Sequence, residues 1–391
     1  MTESRKPSQP AIVNEYNASH IQVLEGHEAI RRRPGMYIGS TGERGLNQMV
    51  FEVVTYAVNE HLAGHADTID VTITADGGIR VADNGRGLPL EVEEATGKPA
   101  VERELTELSF GSKPHTGYWA SGGISGLGLC VVNALSSRLT VEVHRDGHRW
   151  TQEYEKGARI TSLTRHEESS GHGTAIAFLP DTGIFETTRY SFATLSQRLQ
   201  ELAFLNGGLA ISLTDERPER PVRHHHSDGL RAYVAHLSPY PPSLVHSPAI
   251  AFESANQDET ILVQVAMQWN TWSPGEFRSF ANSTRTQEGS AHEQGFRTAL
   301  TDLVNDYARR QRHLRVDDED ITAEAIYEGL TAVVSVKLAH PLFEGATRTK
   351  LSNPEADAYV QEVVREHLAD WLDHHPDEAA VIIHHILNAS T

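Results

Sequence analysis

A chain of 391 residues is long enough for two or three ordinary domains, and 39% apolar residues with a mean hydropathy of -0.40 fit a soluble globular protein. The formal net charge of -19 works against tight, sequence-independent binding to nucleic acid, which needs clustered Lys and Arg, although RRRPGMYIG at 31–39 leaves room for a local basic patch. The single cysteine, Cys130, excludes an intrachain disulfide and suits a reducing cytoplasm. The polar start MTESRKPSQPAIVNEYN lacks the apolar segment of a signal peptide, and no run of about 18 apolar residues predicts a membrane span.

In chain order, the first 14 residues read as a flexible arm with two prolines. A helical pattern over HIQVLEGHEAIRRR is stopped by Pro34-Gly35. FEVVTYAVNEHLAG, residues 51–64, follows as a helix. It places Glu52, Tyr56, Asn59 and Glu60 on one face, with Phe51, Val54, Val58 and Leu62 marking an apolar face. A carboxylate among valines is costly unless something uses it. Strand-like runs cover 68–76 and 78–83, and a glycine-rich loop region covers 84–128. The helix LCVVNALSS leads into the strands RLTVEVHR, HRWTQEYEKG and GTAIAFLP. A helix, TLSQRLQELAFLN, and a strand, LAISLTDE, close the first half. RPERPVRHHHSDG, residues 217–229, is polar and reads as a boundary. The second half reads as the alternating strand ETILVQVAMQWN, the helix EQGFRTALTDLVNDYARRQ, the buried strand LTAVVSVKL and the amphipathic helix EADAYVQEVVREHLADWL, which Asn353-Pro354 introduces. Strands mixed with long helices give an α+β or α/β class in both halves, and no internal repeat is visible.

Two glycine-rich stretches carry the chemistry. DNGRGLP, residues 83–89, follows a strand; Asp83 would stand at its end, and Gly85 and Gly87 would let backbone approach a ligand closely. An acidic side chain there suits an exocyclic amine such as adenine N6, and the plain alternative is an Asp/Asn/Gly turn. In SGGISGLGLCVVNALS, Gly122, Gly123, Gly126 and Gly128 precede an apolar helix, where free N–H groups and the helix start make an anion cradle. The spacing is neither G-x-G-x-x-G nor a P-loop.

With RRRPGMYIGST, MVFEVV, DNGRGLP, SGGISGLGLCVVNALS, ELAFLNGGLAISL and GLTAVVSVKL in that order, the sequence resembles the N-terminal half of the gyrase B subunits of bacterial type II topoisomerases, over about residues 16–391. The resemblance implies an α+β fold: a two-layer ATP-binding sandwich over 16–228 after an arm at 1–15, then a ribosomal-S5-like transducer domain over 229–391. It implies ATP and Mg²⁺, a clamp of two subunits closing on DNA as a homodimer or heterodimer, a gyrase A-like partner, aminocoumarin-type inhibitors and no membrane. Carried over by position, Glu52 matches the general base and Asp83 the adenine-reading carboxylate, with Gly85 and Gly87 beside it. Arg86 and Pro89 match the inhibitor rim, and Glu60 is expected to pair with Arg86. Lys113 matches a phosphate-side lysine, and Gly122, Gly123, Gly126 and Gly128 the lid. Thr174 matches the threonine that helps hold the base through water and stands with Glu52 and Arg348 among the catalytic candidates. Tyr16 matches the arm tyrosine that reaches the partner's nucleotide.

Three positions depart from that pattern. Tyr56 stands where the family has its Mg²⁺-ligating asparagine. Mg²⁺ demands hard oxygens in tight octahedral geometry, and a neutral phenol is a poor ligand. Asn59 lies about 4.5 Å further along the axis, too far for direct rescue. The Gln-Thr-Lys loop reads Ala346-Thr347-Arg348; alanine donates no hydrogen bond, and Arg348 keeps the charge with a different shape. The lid histidine is Ser125. All three touch the metal and γ-phosphate end. The expectation is therefore nucleotide or coumarin binding with slow or absent hydrolysis; the alternative for Tyr56 is that its ring rotates away and water carries the metal.

Other candidates carry less. His224-His225-His226, His374-His375 and His384-His385 lack zinc-site spacing and read as solvated. Asp318-Glu319-Asp320 reads as charge before a helix, Trp269, Trp272 and Phe280 as core, and Arg285, Arg297 and Arg309 either as facing water or as lining a DNA-facing cavity. Two functions remain open: the ATP-operated clamp of a gyrase-type enzyme or its decatenating sibling, and a non-hydrolysing paralogue that regulates a competent subunit or confers inhibitor resistance.

Overall fold

The computed structural model describes residues 26–94, 96–108, 128–218, 220–238, 243–271, 273–344 and 349–389. The first half opens with α1 (His27–Arg32), α2 (Gly35–Ile38) and α3 (Glu43–Leu62), then β1 (Thr68–Ile73), β2 (Ile79–Asp83), α4 (Ala100–Thr106) and α5 (Gly128–Ala134). It continues through β3 (Ser136–Arg145), β4 (His148–Glu155), β5 (Ala158–Arg159), β6 (Thr164–Glu168), β7 (Gly173–Pro180), α6 (Phe192–Leu205), β8 (Ala210–Asp215) and β9 (Arg220–His225).

These strands form one sheet ordered β5-β4-β3-β7-β2-β1-β8-β9, with β6 beside β4. Pairing is antiparallel except between β1 and β8. Register sets the site: Ala82 on β2 faces Ala175 on β7, so the last residue of β2, Asp83, stands beside Thr174 near the start of β7. Helix α3 packs the buried Val50, Val53, Val54, Ala57 and Val58 onto the sheet core, with Tyr56 partly buried against it. Helix α6 begins at Ser191, whose side chain accepts from the Thr194 N–H at 3.3 Å. Cys130, on α5, is buried among these apolar side chains.

The second half holds α7 (Gly229–Leu237), β10 (Ile250–Ala255), β11 (Ile261–Trp269), β12 (Gly275–Ala281), β13 (Thr284–Arg285), α8 (Ala291–Arg310), α9 (Ala323–Tyr327), β14 (Leu330–Leu338), α10 (Pro354–His374) and α11 (Pro376–Ala389). Its sheet runs β10-β11-β14-β12-β13, with β12 parallel to β14. LTAVVSVKL reads as a strand with no polar face, and β14 is indeed buried along its whole length. Ala332, Val334 and Val336 belong to the core under α8 and α10, while Val333 joins Phe204, Leu205, Tyr233 and Phe280 in a separate cluster between the two sheets. There the Phe204 ring stacks on His226 at 3.6 Å and on Tyr233 at 4.8 Å. Lys337 is buried in the same region, and among the described residues its ammonium reaches only the Leu205 carbonyl at the end of α6, at 3.4 Å. A two-residue turn, Asn282 and Ser283 with φ of 47° and 62°, closes β12 onto β13. Among the described residues no helix is long and apolar enough to cross a membrane.

Several expectations need correction. The region 84–128 contains α4, whose two helical turns carry too weak a period to stand out among glycines. The segment 217–229 is not a bare boundary: residues 220–225 form edge strand β9, where an edge position tolerates Pro221. Alternation along that strand turns His224 inward to Ser196 at 3.1 Å and places His226 on Phe204, so the histidine run is not solvated throughout. Likewise, His375 stacks on Trp371. Arg297 lies over Phe277 and Tyr327 and bonds Glu293, and Arg309 pairs with Asp320, so neither faces a DNA cavity as an uncommitted cation. Trp269 and Phe280 are core residues as expected; Trp272 lies outside the described residues.

Candidate functional site

The site is assembled where α3 crosses the ends of β2 and β7. Asp83 closes β2, and its Oδ1 accepts from the Gly85 N–H at 2.8 Å and the Thr174 N–H at 3.4 Å. Among the described residues no group donates to Oδ2, which leaves that oxygen as an acceptor for a ligand amine. Burial pushes the carboxyl up to about 6; the Gly85 and Thr174 bonds and His172 work against that rise, and Glu60 adds to it.

Two glycines make this turn possible. Gly173 has a φ of 121°, and a Cβ there would stand 2.0 Å from the Asp83 carbonyl oxygen. Gly87, with a φ of 79°, passes so close to β3 that a Cβ would meet the His144 carbonyl at 2.9 Å. The buried Thr174 hydroxyl accepts from the Leu88 N–H at 2.9 Å, which ties the DNGRGLP turn to β7. Thr174 therefore works beside Asp83. Pro89 is half-buried at the rim of the same turn.

Arg86 and Glu60 form the expected pair: Nε and Nη2 donate to the two carboxylate oxygens at 3.1 and 2.8 Å, and the Arg86 N–H adds a third bond at 3.0 Å. Burial opposes ionisation of Glu60, but the Arg86 bonds overcome it and hold the carboxyl below its usual range. Glu52, two turns earlier on α3, accepts from Gln48 Nε2 at 2.7 Å. Its other oxygen lies against the start of α5, where a Cβ on Gly128 would stand 2.9 Å from Oε2. Tyr56 sits between Glu52 and Glu60 on the helix. Burial raises its phenol well above the ordinary value, and Glu60, Asp83 and Glu104 add to the shift, so the ring carries a neutral hydroxyl. Asn59 occupies the next turn and is engaged in a contact of its own. No group of three or more His, Cys, Asp or Glu side chains among the described residues is arranged to hold a metal ion.

The sequence reading named Asp83, Gly85, Gly87, Thr174, Glu60 and Arg86, and the structure brings them together. It missed Gln48, whose place four residues before Glu52 on a helix was a usable signal. It missed His172, which contacts the Gly85 carbonyl at 2.9 Å, and Arg145, which donates to the Gly87 carbonyl at 2.9 Å; both arrive from distant segments. Tyr16, Lys113, Gly122, Gly123, Ser125, Gly126, Ala346, Thr347 and Arg348 lie outside the described residues.

Comparison with known proteins shows which proteins the chain is similar to. Residues 41–183 match the family described as histidine kinase-, DNA gyrase B-, and HSP90-like ATPase, and residues 229–391 match the family described as DNA gyrase B. DNA gyrase B of Streptomyces coelicolor is 53% identical over 94% of this chain and 56% of its own length. The novobiocin-resistant DNA gyrase B of Streptomyces niveus is 47% identical over 100% of this chain and 60% of its own. This chain thus spans little more than half the length of the curated relatives it matches. The crystal structure of the 43K ATPase domain of Thermus thermophilus gyrase B, in complex with an aminocoumarin, superposes with a TM-score of 0.81 at 32% identity, covering 93% of this chain and 94% of that one.

Proposed function

Because the chain belongs to the gyrase B family, to whose N-terminal ATPase and transducer region it corresponds, we propose that it is an adenine-nucleotide-binding clamp module with a weakened hydrolytic end. The observation that carries this reading is the contrast along α3. The Asp83 turn offers a half-buried carboxylate oxygen to an amine, while Tyr56 presents a neutral phenol at the position where the family's metal ligand is expected.

Adenine fits the turn, because a half-buried acceptor with its second oxygen already engaged selects a donor in the remaining direction. Glu52, aimed by Gln48, is the group placed to take a proton from an attacking water. Mg²⁺ does not fit the residues present: the position one turn after Glu52 carries an aromatic ring packed against the core, whose phenol remains protonated and is a poor hard-oxygen ligand. No step is routed through the metal. Phosphoryl transfer depends on positioning and charge neutralisation, so losing the protein's metal ligand slows turnover more than it weakens binding. Ala346 removes a donor at the same end, and Arg348, Lys113, Tyr16 and the glycines of 122–128 complete the proposed nucleotide set.

In the longer assembly the module would serve ATP-dependent strand passage on DNA as a dimer with a gyrase A-like subunit. The Tyr56 substitution equally favours a second reading, a non-hydrolysing paralogue that pairs with a competent subunit or alters inhibitor response, with Arg86 and Pro89 at an aminocoumarin rim. Titration with a non-hydrolysable ATP analogue, with and without Mg²⁺, tests the proposal beside a phosphate-release assay. Saturable binding insensitive to Mg²⁺, with turnover far below that of gyrase, is expected. Absence of binding, or turnover at gyrase rates, refutes it.

A further inference from the structure

Helix α3 faces two different surroundings. Its C-terminal half stands beside Asp83. Its N-terminal half, with Asn47, Gln48 and Glu52, lines a cleft of about 830 Å³ whose opposite walls are α6, α7 and the β12–β13 hairpin. Glu52 is thus the boundary between the adenine turn and this second space.

The charge of the cleft differs from that of the chain. Arg44, Arg198, Arg278 and Arg285 line it against Glu43, Glu52 and Glu201, although the whole chain carries 34 Lys and Arg against 53 Asp and Glu. Two of the arginines are already engaged. Arg198 bonds Glu201 and the Ser283 carbonyl, and Arg278 bonds Glu276 at 2.6 Å and donates to the Tyr233 hydroxyl at 2.6 Å. Glu201 is neutralised by the same network, which also includes Tyr233 at 2.8 Å. Arg285, partly buried, and Arg44, at the mouth, have no carboxylate partner among the described residues. Asn47 is only 5% exposed, and its side-chain oxygen has no partner. A guanidinium fork binds oxyanions in two-point contact, and an orphaned amide oxygen needs an O–H donor. Protonated phosphate offers both kinds of group at once.

We propose that this cleft is a site for inorganic phosphate, with Arg285 as its principal cation, Arg44 at its mouth and Asn47 accepting the phosphate O–H. The proposal rests on the reading of Glu52 as the base. Water attacks the γ-phosphorus and forms a new P–O bond, the bond to the bridging oxygen of ADP breaks, and the water proton passes to Glu52. The freed phosphate then moves to the side of Glu52 away from the adenine turn.

The test is calorimetric titration of inorganic phosphate into the intact chain, its Arg285→Gln, Arg285→Lys and Arg44→Gln variants and the Arg285→Gln/Arg44→Gln pair, with ADP titrated in parallel. Wild type should bind phosphate, with sulfate, which has no O–H for Asn47, competing only weakly and chloride at equal ionic strength not competing. Arg285→Gln should weaken phosphate affinity by about fivefold or more and the pair further, while Arg285→Lys retains part of it and ADP affinity stays within about twofold. The proposal is overturned if wild type binds no phosphate, if Arg285→Gln binds it equally well, or if ADP affinity falls by the same factor. Separately, undiminished ATP turnover in Glu52→Gln would remove the base assignment without altering the phosphate affinities, so the two readings fail independently.

Discussion

Replacing Asp83 with asparagine should move stability and binding in opposite directions. In the folded chain the carboxyl titrates near 6, against 3.8 for an unburied aspartate. A carboxyl whose folded value is raised favours the fold below its unfolded value, and that advantage is lost as pH rises through the folded value. At about 1.36 kcal/mol per unit, the ionised Asp83 costs about 3 kcal/mol at pH 7 and roughly half of that at pH 5. Asparagine keeps an oxygen for the Gly85 and Thr174 N–H groups and removes the charge. Its amide nitrogen, however, replaces the acceptor aimed at a ligand amine, which sets donor against donor at a loss of about 2 kcal/mol or more, some thirtyfold in affinity. Urea unfolding at pH 7 and pH 5, with and without a non-hydrolysable ATP analogue, reads both effects. The ligand-free variant should be more stable than wild type, with the gap narrowing at pH 5, and should lose the shift produced by the analogue. A less stable variant, or one that retains the full ligand shift, would refute the assignment of Asp83 as a strained adenine acceptor.

Three other outcomes follow from the same geometry. Tyr56→Asn should restore a Mg²⁺-dependent gain of about fivefold to tenfold in analogue affinity by titration, and an unchanged Mg²⁺ response would count against the steric account. Gly173→Ala forces a Cβ to within 2.0 Å of the Asp83 carbonyl oxygen at a φ of 121°, so a loss of more than about 2 kcal/mol in unfolding free energy is expected, with nucleotide binding lost alongside; a neutral result would mean the turn relaxes freely. Lys337→Met should raise stability at pH 7 by roughly 1–3 kcal/mol, because burial lowers the ammonium to about 8, with Glu253 opposing, and among the described residues only one long bond compensates it. A lysine lowered in the fold is penalised below its folded value and regains parity as pH rises toward 10.5, so the advantage of the variant should fade in alkaline urea titrations.

What the sequence made legible tracks the range of the interactions involved. Helix α3, strand β14 and helix α10 announce themselves through apolar period and through Asn353-Pro354, all local signals. Asp83 with Gly85 and Gly87 was readable as a turn, and the resemblance supplied the Glu60–Arg86 pair. The short α4 and the edge strand β9 were not, because two helical turns, or a proline-bearing edge strand, carry little period; the 14-residue final helix α11 was also passed over. The cleft was invisible for a different reason. Its arginines at 44, 198, 278 and 285 come from α3, α6 and the β12–β13 hairpin and meet through the packing of the first half on the second, a contact that no local window contains.

The lone thiol of Cys130 is sealed on the inward face of the helix that begins against Glu52, and burial, with Glu107 and Glu104, pushes it up to about 12. A neutral, covered sulfur reacts only when the covering layer parts. The molecule therefore carries its own single-site stopwatch: the speed at which a maleimide labels it counts the rare partings of that layer, and any nucleotide that seats across the neighbouring turn should slow the count.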